Sequence, residues 1–136
     1  MKASFHAEEG AYLTEEKLDR LELPKIYREK LQYDLEQIRK SHLNGLRAIV
    51  LFGSCARKRP HVGSDIDLLL ITEKQVARGL RGELAGDLAE EHNGVATDLV
   101  FYTEEEFEKS DCFFVKEIVK DGIILWENHG TCGGGE

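Results

Sequence analysis

Apolar positions along this chain alternate between two kinds of pattern. Residues from about Thr14 to Leu43 read as helical, with Thr14-Glu15-Glu16 as a plausible start and Pro24 breaking or kinking the run. Beyond Pro24, Tyr27, Leu31, Leu35, Ile38 and His42 recur at helical spacing and predict one buried stripe. Leu46 to Phe52 is a compact, partly β-branched run that reads as a strand ended by Gly53-Ser54. Ile66 to Ile71 is apolar at nearly every position, the pattern of a strand covered on both faces.

Thr72, with Gln75 three residues on, fits a capping box opening a helix to about Glu91, weakened by Gly79, Gly82 and Gly86. Val95 to Tyr102 reads as a third strand. Thr103 and Glu106 form a second capping box, with Tyr102 placed to staple onto Phe107. A helix from about Asp111 to Lys120, stopped by Gly122, leads to a short strand at Ile123–Trp126. The order predicts an α/β or α+β fold, a small mixed sheet with helices packed on it. One domain is expected over residues 1–129, with a flexible Gly-rich tail at 130–136.

Composition narrows the class. The chain has 136 residues, 41% hydrophobic and 32% charged, which fits a globular domain able to bury a core without staples. Its apolar runs are too short to cross a bilayer and its N-terminus shows no signal-peptide run, so a cytoplasmic protein is expected. Cys55, Cys112 and Cys132 have no zinc-like spacing and read as reduced thiols. The five histidines likewise lack ligand spacing. A net charge of −8 argues against stable binding to a nucleic-acid backbone.

The candidate chemistry lies in Asp65-Ile66-Asp67. Side chains two apart on a strand share a face, so both carboxylates project together. Adjacent anions raise each other's pKa unless a cation joins them, and magnesium suits carboxylates that also meet phosphates. An isolated D-x-D is most often structural, a turn acid beside a strand-edge acid. Its neighbours change the reading. Gly53 permits close backbone approach to a ligand, and the Ser54 hydroxyl with nearby amides can bind phosphate oxygens. Asp98 stands within an otherwise apolar strand, where an acid is costly unless paired, metal-bound or on an exposed edge. Cys55, Trp126, Phe113 and Phe114 read as structural, the three aromatics as core.

Gly53-Ser54, ten intervening residues, then Asp65-Ile66-Asp67 and Leu68-Leu69-Leu70 resemble the signature of the DNA polymerase β-like nucleotidyltransferase superfamily. Ala56-Arg57 and Ser64, with the short length, resemble its minimal nucleotidyltransferases, the antitoxins of HEPN/MNT toxin–antitoxin pairs. The resemblance covers about residues 46–126. Where many relatives carry Gly after Ala-Arg, this chain has Lys58-Arg59-Pro60-His61. The resemblance implies a polymerase β-like fold and two magnesium ions bridged by Asp65 and Asp67, with Asp98 on the ion that activates an acceptor hydroxyl. Gly53, Ser54, Arg57 and Ser64 would contact the nucleotide. It implies AMP transfer from ATP to a tyrosine of a HEPN toxin, the partner in a hetero-oligomer. Two alternatives stand beside this: adenylylation of a small molecule, and a non-catalytic antitoxin that masks its partner.

Overall fold

The computed structural model describes residues 21–57 and 64–128. Helix α1 (Lys25–Lys40) follows Pro24, whose ring suits a helix boundary. Strands β1 (Leu46–Phe52) and β2 (Ile66–Thr72) come next, then α2 (Arg78–Ala89), β3 (Thr97–Thr103), α3 (Glu104–Lys109), α4 (Phe113–Asp121) and β4 (Ile123–Glu127). The strands form one sheet in the order β3-β2-β1-β4. β1 pairs antiparallel with β2 and β4, while β2 and β3 run parallel, so the sheet is mixed and the fold α+β.

Side-chain alternation gives the sheet two apolar faces. On one, Ile49, Leu51, Ile66, Leu68 and Leu70 pack with Leu31, Leu35 and Ile38 of α1 and Leu84 and Leu88 of α2. On the other, Ala48, Val50, Leu69, Ile71 and Ile124 pack with Ile118 of α4 and Phe107 of α3. β2 is thus covered on both faces, as its apolar run predicts.

The second capping box forms in full: the Glu106 amide donates to Thr103 Oγ1 at 3.0 Å and the Thr103 amide to Glu106 Oε1 at 2.9 Å. The Tyr102 and Phe107 rings meet edge to face, 6.2 Å apart. The first box does not form. Thr72 closes β2, and its hydroxyl donates to the Lys74 carbonyl at 2.8 Å, so α2 begins only at Arg78. Two further expectations change. α1 stops at Lys40, and His42, exposed and left-handed at φ 52°, lies beyond the buried stripe. Phe113 is not core but 77% exposed, because Val115 and Ile118 occupy the packed side of α4; Phe114 is partly exposed against Phe52. Trp126 is buried as expected. The expected helix start at Thr14, the 130–136 tail, Cys132 and the basic residues 58–61 lie outside the described residues.

Candidate active site at one end of the sheet

The end of β1 and the starts of β2 and β3 meet at one rim of the sheet. Phe52 faces Asp67 across the antiparallel ladder, and Asp67 faces Asp98 across the parallel one. Opposed residues share a face, so Asp67 and Asp98 project side by side on the α4 side. Asp65 stands two residues before Asp67, exposed, just ahead of β2. The structure therefore gathers all three sequence-predicted acids at one place.

Electrostatics report that proximity. The Asp67 carboxyl is pushed up to about 6, first by its half-buried position and then by the charges of Asp98 and Asp65, while Arg57 pulls the other way. Burial, then the charges of Asp67 and Asp65, raise the Cys55 thiol to about 11, which removes a thiolate nucleophile from consideration at neutral pH.

Gly53 has φ +78°, and a Cβ there would collide with Asp67 Oδ2. Only glycine lets the backbone turn this way against the carboxylate. The Arg57 amide donates back to the Gly53 carbonyl at 3.2 Å, closing one turn that carries Ser54 past the rim. Arg57 is exposed, its guanidinium 3.9 Å from the Asp121 carboxylate at the end of α4. Ser64 is buried, and its carbonyl accepts the Tyr27 hydroxyl at 3.2 Å.

Among the described residues no three His, Cys, Asp or Glu side chains form a ready-made metal cage. Magnesium does not require one: it is commonly held by one or two carboxylates, with phosphates and waters completing its shell. An all-oxygen donor set and mutually repelling carboxylates fit that ion. A separate hollow of about 370 Å³, lined by His42, Gly45, Glu73, Val76 and Leu80, lies at the opposite end of the sheet and holds none of these acids.

One cluster escaped the sequence reading. Lys30 and Asp34 are fully buried, Lys30 donating to Asp34, to the Leu88 carbonyl at 2.7 Å and to Thr97 Oγ1 at 2.9 Å. The Thr97 hydroxyl donates in turn to Asp34. Burial pushes the Asp34 carboxyl up to about 6 against the pull of Lys30. The i,i+4 spacing of Lys30 and Asp34 was the available signal, but that spacing is commonest on solvated helix faces.

Two strands thus present paired acids beside a glycine turn in a small mixed sheet, and comparison with known proteins gives the family. Residues 33–130 match the family described as "Polymerase beta, Nucleotidyltransferase", and the chain belongs to that family. Among solved structures it is similar to a chain of a toxin–antitoxin crystallised with AMP-PNP, at 25% identity and TM-score 0.55, covering 71% of this chain and 73% of that one. A complex of tri-AMPylated Shewanella oneidensis HEPN toxin with MNT antitoxin shares the fold at 23% identity and TM-score 0.52, covering 74% and 71%. No curated protein matches. No described helix is long and apolar enough to cross a membrane.

Proposed function

We propose that this chain is an antitoxin that transfers AMP from ATP to a tyrosine hydroxyl of a HEPN toxin. The observation that carries the proposal is Asp67 beside Asp98 with the Gly53 backbone against Asp67, in a member of the nucleotidyltransferase family. The neighbour crystallised with AMP-PNP as a toxin–antitoxin supports both the nucleotide and the kind of partner.

In this reading Asp65, Asp67 and Asp98 hold magnesium, and the Gly53-Ser54 turn lies along the phosphates. When bound, magnesium supplies positive charge that offsets the phosphates and the leaving pyrophosphate. Asp98, exposed at the rim, accepts the proton of the acceptor hydroxyl. The oxygen then bonds to the α-phosphorus in line as the α–β bridging bond breaks. Arg57 exchanges Asp121 for a phosphate oxygen, which guanidinium binds bidentately. Ser64, being buried, acts through the backbone that carries Asp65. Positioning and charge stabilisation supply the rate. In this reading the reaction is cytoplasmic, which ATP as the substrate and thiols read as reduced would suit.

The test incubates the chain with a co-purified HEPN partner, ATP and magnesium, and reads the partner's intact mass. An adenylyl increment is expected with wild type and none with Asp65→Asn/Asp67→Asn, which keeps shape and removes charge. Transfer surviving in the double variant would refute the assignment. Neutralisation surviving without transfer would favour masking.

A further inference from the structure

We infer that helix α1 is a positioning clamp that sets the separation between the first and third acids, through Tyr27, Lys30 and Thr97. The inference rests on the reading of Asp65 and Asp98 as one metal-binding site. The residue before each acid is tied to this one helix, Ser64 by its backbone carbonyl and Thr97 by its side-chain hydroxyl. Tyr27 donates to the carbonyl of Ser64, the residue immediately before Asp65, at 3.2 Å. Three residues on along the same face of α1, Lys30 donates to the hydroxyl of Thr97, the residue immediately before Asp98, at 2.9 Å.

The second attachment is unusually well determined. Lys30 uses all three ammonium hydrogens, on Asp34, Thr97 and the last turn of α2 at Leu88. Asp34 receives Lys30 on one oxygen and Thr97 on the other. Satisfied this fully, a buried polar network resists displacement, because losing any partner strands a buried group. Thr97 is thereby fixed on the α1 face of the sheet. Strand alternation then forces Asp98 onto the opposite face, beside Asp67.

The first attachment has a companion from the other side. Cys55 Sγ lies 3.8 Å from the Asp65 carbonyl as a weak donor, so the two residues at Ser64–Asp65 are held by Tyr27 and by the turn after Gly53. Between the attachments, the Ile66 amide donates to the Ala96 carbonyl at 2.9 Å, closing the frame. Tyr27, Lys30 and Thr97 touch no substrate in this scheme. They are positioning residues that hold repelling carboxylates at a spacing a divalent cation can bridge.

The test uses Tyr27→Phe and Thr97→Val in the full chain, which delete hydroxyls and keep shape. The first readout is hydrogen exchange. Amides of 64–67 are expected to exchange at least tenfold faster in Tyr27→Phe, and those of 97–99 in Thr97→Val, with the core of β1 at wild-type rates. The second readout is Mn²⁺ affinity measured calorimetrically in the presence of a non-hydrolysable ATP analogue. It is expected to weaken about ten- to hundredfold in each variant, the usual cost of losing support behind a metal ligand. Either wild-type exchange at both segments or wild-type Mn²⁺ affinity in both variants would overturn the clamp. Thr97→Ser, which restores the hydroxyl, should return both readouts; failure of that rescue also counts against it. A wild-type chain that took up no Mn²⁺ would refute the metal-site reading, and the exchange measurement would still decide the clamp.

Discussion

Removing the charge of Asp67 should make the metal-free protein more stable while disabling its site. The folded carboxyl is held at about 6 against an ordinary 3.8. At roughly 1.4 kcal/mol for each tenfold change in proton affinity, the rise from 3.8 to about 6 amounts to ~3 kcal/mol if fully felt. Asp67 is only half-buried, so solvent screening reduces the cost of its charge to about 1 kcal/mol. The sign follows from the direction of the shift. A carboxyl raised on folding costs stability once it is ionised, and the cost fades as pH falls through about 6.

Asp67→Asn in EDTA at pH 7.5 should therefore melt higher by about 3–5 °C, the shift that ~1 kcal/mol produces in a domain of this size. At pH 5 the gap should narrow, because the wild-type carboxyl takes up its proton there. Magnesium with ATP should raise the wild-type melting temperature by mass action and leave the variant's almost unmoved. Paired scans by differential scanning fluorimetry at the two pH values decide the matter. A variant that melts at or below wild type at pH 7.5, or a gap undiminished at pH 5, would show that the acids do not repel as their placement implies.

Gly53→Ala should cost about 1 kcal/mol of stability for its left-handed backbone, yet remove transfer almost wholly, since the new methyl displaces the Asp67 carboxylate; melting curves beside radiolabelled AMP transfer would show that split. Lys30→Met should lose about 3–5 kcal/mol in urea unfolding by stranding the Asp34 charge, and Lys30→Met/Asp34→Leu should recover most of it. Thr103→Ala should cost ~1 kcal/mol by opening the capping box of α3, with faster amide exchange confined to residues 104–109.

Parts of this architecture were plain in the letters and parts were not, for identifiable reasons. β1 and β2 were legible because a short run that is apolar at nearly every position, interrupted only by Arg47 or Asp67, suits little other than a buried strand. The two Thr-x-x-Glu/Gln patterns were alike in sequence, yet only Thr103 caps a helix. Thr72 spends its hydroxyl on the Lys74 carbonyl, a choice between two local hydrogen bonds that the pattern does not encode. His42 fitted the stripe by spacing, but the chain leaves the helix two residues earlier. Asn93-Gly94 carries a turn signal that shortens the expected third strand: both residues have positive φ, His92 bridges Val95, and the turn delays β3 from Val95 to Thr97. The gathering of Asp65 and Asp67 followed from period-two geometry alone. The register that sets Asp98 beside Asp67, and the burial of Lys30 and Asp34, depend on contacts more than thirty residues apart and needed the fold.

Alternation along β3 links the two halves of this molecule's problem. In the proposed reading three carboxylates share a cation; without it they repel one another at the rim, and the ladder and turn contacts there carry no compensating charge. Their restraint has to come from where charge is already compensated. Thr97 and Asp98 are one residue apart and therefore on opposite faces: the first enters a saturated network in the helical core, the second enters the acidic cluster. A buried ion pair is rarely a net gain in stability over apolar packing, so its presence under α1 is better explained by what it orients than by what it stabilises. If that is its role, the apolar double replacement of Lys30 and Asp34 is the informative case, because it preserves stability while removing the anchor. Stability and divalent-cation affinity should then part company in one variant, the first near wild type and the second well below it.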